Sequence, residues 1–166
     1  MNIEITILII FCVISFFMWS FLHELSHATI VKKFVQDVKV SYKLYPHFES
    51  GLGFVWASMG WKYQKKFEPK IEQLGWIFFA PRIIDFAGVL LTVILAKYLP
   101  ESNYKIFLLI LTGGSILDLC WGSIGYGENS DLQRYCRYWG WNPVWPRVIG
   151  FIVGIIASTL SVSFVL

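Results

Sequence analysis

The sequence predicts an α-helical membrane protein of about four transmembrane helices, with a small β-hairpin between the first two. Three observations carry that prediction. Apolar residues make up 56% of the 166, and the mean hydropathy is +0.58. Charged residues make up 15%, well under the roughly 25% of a soluble domain. Finally, several stretches reach the ~20 apolar residues that a helix needs to cross a hydrocarbon core of about 30 Å. These are the core spans within 3–34, 69–98 and 106–124 and an extra span at 148–166. They leave little room for a second domain, so 1–166 reads as a single membrane-embedded unit.

The first element starts at Met1-Asn2-Ile3-Glu4, which lacks the Lys or Arg of a signal peptide's n-region, and no small-x-small cleavage site follows. It reads as a retained helix. No Gly or Pro interrupts it, so the helix should run past the membrane through His23 and His27 to about Phe34. The texture then changes. Val38, Val40, Tyr42 and Leu44 alternate with Lys39, Ser41 and Lys43, "ESGLG" supplies a turn, and "FVWASMGW" is extended again. Period-two alternation around a Gly-bearing turn predicts a β-hairpin over about 37–61.

The second helix, from Pro69 to Tyr98, holds Arg82 and Asp85 three residues apart, on one face, where each can neutralise the other. The third places Gly113, Gly114 and Ser115 where a neighbouring helix can come close, and carries Asp118 as an intramembrane acid. The fourth has no charged residue from Val148 onward. It reads as a lipid-facing support, with Gly150 and Gly154 as a small-xxx-small contact.

Charge placement gives an orientation. Eight lysines lie between Lys32 and Lys70 and three arginines between Gly125 and Arg147, against two lysines in the Lys97 to Lys105 connection. The positive-inside rule therefore puts the first and third connections in the cytoplasm, as in a multi-pass protein of the cell membrane. Basic residues that flank spans act as retention signals, so nucleic acid is not an expected partner. Cys12, Cys120 and Cys136 form no CxxC pair and read as apolar fillers.

The chemistry sits in "HELSH". His23 and His27 are four apart on a helix, about 40° around its axis, so both imidazoles can reach one ion. Glu24 then stands where it can serve as a base toward water activated there. Three ionisable groups in five residues would each cost about 2.5–3.5 kcal/mol at the bilayer centre, and coordination of a divalent ion gives them a reason to be there. A catalytic zinc uses three protein ligands, and the motif supplies two. The third should come from the same depth, where the third helix returns near Ile124: Asp131 or, alternatively, Asp118, with His47 of the hairpin a weaker candidate.

With these residues in place, the chain resembles the site-2 proteases, the intramembrane zinc metalloproteases of the M50 type, in a compact form without regulatory domains. The resemblance covers roughly Ile3 to Tyr138: an HExxH helix, a hairpin and span, and a third core span followed by an aspartate. In the family that aspartate lies in an Asn-Pro-Asp-Gly or Leu-Asp-Gly motif and binds the zinc. Here the match is Asn129-Ser130-Asp131-Leu132, with Leu132 in the glycine's place.

The resemblance implies one Zn2+ ion held by His23, His27 and Asp131, with Glu24 as the catalytic base. It also implies that Asp118 helps bind substrate or orient the site, while Asn129 serves the oxyanion or merely a turn. The implied activity is cleavage of membrane-anchored protein or peptide substrates near the cytoplasmic face. A catalytically inactive membrane binding protein or chaperone of the same fold is the alternative. A small transporter along Arg82, Asp85 and Asp118 is a third reading, though the internal repeats of transporters are absent.

Overall fold

In a computed structural model of the chain, residues 3–49, 53–55, 57–124 and 128–164 are described. Helix α1 (Ile3–Phe34) is followed by four short strands, β1 (Lys39–Lys43), β2 (His47–Glu49), β3 (Gly53–Val55) and β4 (Ser58–Lys62). A 3-10 turn at Lys65–Phe67 then leads into α2 (Ile71–Tyr98), α3 (Asn103–Ile124), α4 (Asp131–Trp139) and α5 (Val144–Ser163). Helices α1, α2, α3 and α5 are each long and apolar enough to cross a membrane.

The hairpin has the expected form, but each arm is broken. β1 pairs antiparallel with β4, Val40 opposite Trp61, and β2 pairs antiparallel with β3, Phe48 opposite Phe54. Its tip at 50–52, within the expected "ESGLG" turn, lies outside the described residues, as does Trp56. The period-two alternation overstated what the hairpin buries. Val38 and Val40 pack under Val31, Val35 and Ile77, whereas Tyr42 and Leu44 are exposed. Among the described residues the helices pack against the base of the hairpin, at Val38, Val40 and Trp61.

The sequence reading missed α4, which had been absorbed into a connecting segment. The nine residues of α4 are too few for a span and too polar for a hydropathy scan, yet Leu132, Tyr135 and Cys136 fall on one helical face and bury with Phe78 of α2. Gly140 ends the helix in the left-handed conformation at φ 69°, a backbone position that favours glycine.

Helix α3 lies between α1 and α5. Ser15 Oγ and Trp19 Nε1 of α1 both donate to the Leu111 carbonyl at 2.8 Å. Gly114 gives them room, since a β-carbon there would collide with both side chains, whereas Gly113 faces no neighbour within 4 Å. On the other side, Gly150 and Gly154 of α5 seat against Ser123 and Cys120 of α3, as the small-xxx-small spacing suggested. The contacts of Ser15 and Trp19 fix α1, and with it HELSH, against α3.

Candidate metal centre

On α1 the two histidine rings lie on one face, their centroids 5.3 Å apart. His23 Nε2 and His27 Nε2 each stand 3.0 Å from Oδ2 of Asp131. Asp131 reaches them as the first residue of α4. Leu132, standing where the resembled motif has glycine, is 1% exposed and anchors α4 against Phe78, so the helix start does the positioning that a turn would otherwise do.

The other ring nitrogens are committed. His27 Nδ1 lies 2.7 Å from the Ile77 carbonyl, an atom that can only accept, so this nitrogen carries the proton. Pro81 explains why that carbonyl is available. A proline within a helix has no N–H to give to the carbonyl four residues back, and for Pro81 that carbonyl belongs to Ile77. His23 Nδ1 donates to Asp118 Oδ2 at 2.8 Å. With both Nδ1 atoms donating, neutral rings turn their Nε2 lone pairs toward Asp131.

A carboxylate oxygen 3.0 Å from two nitrogen lone pairs is repelled by them unless protons or a cation lie among the three atoms, which are all within 4.8 Å of one another. Tetrahedral zinc with bonds of ~2.0–2.1 Å holds its donors ~3.3 Å apart, so the two nitrogen–oxygen separations would open by only a few tenths of an ångström to take such an ion. The donor chemistry, two imidazoles and a carboxylate with their outer atoms hydrogen-bonded, also suits it. Burial by itself would raise the Asp131 carboxyl, but positive charge on the facing His27 and His23 rings, protons standing where an ion would, holds it well below the usual carboxylate range.

Behind His23 is a second group of acids. Ligand atoms of His23, Asp85 and Asp118 lie within 4.8 Å of one another. Asp85 is fully buried and accepts from Arg82 Nη1 at 2.8 Å, the pair the i,i+3 spacing suggested. The Arg82 guanidinium fits because Gly122 lies opposite it: a β-carbon at 122 would overlap it.

Glu24, 9% exposed, lines the same cavity as both histidines and Asp131. That cavity holds about 220 Å³ and is walled by the β3–β4 segment (Val55, Ala57, Ser58, Met59), by Phe78 and by Asn129. Asn129 is thus beside the site, and Asp118 borders the cavity while bonding the far side of His23. His47 stays in the hairpin, bonded to the Tyr45 carbonyl and Ser58 Oγ, away from the other two histidines.

Comparison with known family models, curated proteins and solved structures finds no match. Three participants escaped the sequence reading: the Pro81–Ile77 acceptor, the approach of Asp85 to Asp118, and Arg134 in the cavity wall. The first was legible as a proline four residues after a carbonyl on the histidine-facing helix. The second depends on a distance between two helices, which no local pattern encodes.

Proposed function

We propose that the chain is an intramembrane zinc endopeptidase that cleaves membrane-anchored proteins or peptides at the cytoplasmic end of its helix bundle. The observation that carries this reading is the convergence of His23 Nε2, His27 Nε2 and Asp131 Oδ2, with Glu24 on the same cavity. A lipid setting is supported by the distribution of polarity. Ser15, Thr92, Thr112, Ser115, Asp85 and Asp118 face inward, while Ile7, Ile10, Leu90, Ile94, Ile152 and Ile155 face outward. Water would favour the reverse.

His23, His27 and Asp131 would hold the ion, and Asp118 and the Ile77 carbonyl keep the two rings turned toward it. When bound, zinc supplies Lewis-acid activation of water and of the scissile carbonyl. Glu24 takes the proton from water at its carboxylate and returns it to the departing amine nitrogen. A membrane helix has its amides internally paired, so a substrate must unwind before its carbonyl is accessible. The β3–β4 segment along the cavity offers main chain to such an extended stretch.

The test is metal content beside peptidase activity. The purified protein should hold about one zinc per chain and lose it in the His23→Ala/His27→Ala variant. Glu24→Gln should keep the metal and cut kcat by about 10²–10⁴. Undiminished cleavage by Glu24→Gln would falsify the assignment of the base. Retained metal with no cleavage of any membrane-anchored substrate would move the reading to an inactive binding protein.

A further inference from the structure

Arg134 lies on α4 one turn beyond Asp131, and at i,i+3 spacing the two share a helix face. Both line the cavity. The Arg134 guanidinium sits 4.7 Å above the Phe78 ring, and Phe78 packs against His27 with ring centroids 5.8 Å apart. The cation is therefore one ring's width beyond a metal-ligand histidine, within reach of about three residues of extended peptide at ~3.4 Å each.

Stacking uses the face of a guanidinium and leaves its in-plane N–H donors available, in the fork that matches a carboxylate. Arg82, the other guanidinium on this cavity, is buried and gives Nη1 to Asp85. Arg137 is exposed and gives its Nη2 to the Glu128 carbonyl. Among the described residues no acid pairs with Arg134, even though Glu24, Asp118 and Asp131 line the same cavity. A half-buried cation over an aromatic ring, with no acid paired to it among the described residues and at the edge of a peptide-sized cavity, is equipped to receive an anion from the substrate.

We propose that Arg134 binds a carboxylate of the peptide, so that the site selects substrates with an acidic side chain or a free C-terminus within a few residues of the cleaved bond. This rests on the peptidase reading above. Glu24 and the histidine–aspartate set perform the reaction, and Arg134 decides which peptide is aligned for it.

The experiment uses three short peptides of one sequence, acetylated at the N-terminus. The first carries one Glu and an amidated C-terminus, the second has Gln in its place, and the third has that Gln with a free C-terminal carboxylate. Binding to the zinc-loaded Glu24→Gln protein in detergent and kcat/KM of the wild type are both measured. At least one carboxylate peptide should be favoured over the neutral one by roughly tenfold or more, and which one identifies the source of the anion.

In Arg134→Gln that ratio should fall to about one, and in Arg134→Lys it should be partly kept. Because each ratio is taken within one variant, loss of folded protein cancels. Equal treatment of all three peptides by wild type overturns the proposal, and so does a preference that survives Arg134→Gln, which would assign the carboxylate to the metal. If none of the peptides is cleaved, the binding ratios still decide the role of Arg134, and the peptidase reading is decided separately by cleavage of membrane-anchored substrates.

Discussion

The two nitrogens of the His23 ring look onto two clusters built from the same kinds of group. On the Nε2 side are His27 and Asp131, open to the cavity. On the Nδ1 side are Asp118, which borders the same cavity, and the fully buried Asp85, with Arg82 beside them. By distance alone either set could hold a metal ion. The difference lies in the cation. The inner cluster has a positive charge beside it in Arg82, so one of its two acids is already compensated. The outer one has no cationic side chain among its three members and faces open space, which is what a ligand set requires. The comparison teaches that a cluster of acids and histidines should be read by its charge balance as well as by its distances.

The largest expected effect comes from breaking the inner cluster. Arg82→Met leaves Asp85 buried without its partner, and a loss of about 3–5 kcal/mol in folding stability is expected, measured by unfolding in detergent. Adding Asp85→Leu removes the stranded charge and should recover most of that loss. A double variant as unstable as the single one would mean that Arg82 is needed for something other than Asp85.

Next comes a comparison across the His23 ring. Asp131→Asn removes the anionic donor and should weaken zinc affinity by more than about 100-fold, whereas Asp118→Asn, which only loosens the support of His23, should cost about 10- to 100-fold. Competition with a chelator of known affinity measures both. The reverse order would exchange the roles of the two clusters.

Much of this was legible in the sequence. The length and apolarity of the four long helices announced them, the hairpin followed from alternation around a glycine-bearing turn, and HELSH named two donors and the adjacent acid. Asp131 was reachable because chain direction returns α3 to the end of the bundle that holds HELSH. The rest was hidden for physical reasons. Helix α4 is amphipathic over nine residues, so its signal lies in the spacing of Leu132, Tyr135 and Cys136 rather than in mean hydropathy. Asp118 sits 33 residues after Asp85, and only the packing of α2 on α3 makes them neighbours. The outer half of the hairpin failed the other way: its alternation implied a buried face that the helices do not cover.

Pro81 gives the smallest expected effect and the most discriminating sign. Proline inside a helix removes one hydrogen bond, and ordinary reasoning takes it as a defect that costs stability. Here the freed Ile77 carbonyl holds His27 Nδ1–H and so turns Nε2 toward Asp131. Pro81→Ala returns an N–H to the helix ladder, which then competes with His27 for the same oxygen. Because a carbonyl has two lone pairs, His27 is weakened rather than released. Zinc affinity should therefore fall by less than about tenfold, below the full cost of losing an outer partner, while the unfolding temperature holds or rises. Stability and affinity moving in opposite directions on one substitution would identify the proline as part of the site. If both fall together, Pro81 merely packs against its neighbours, and the orientation of His27 must be sought in the edge-to-face contact of its ring with Phe78.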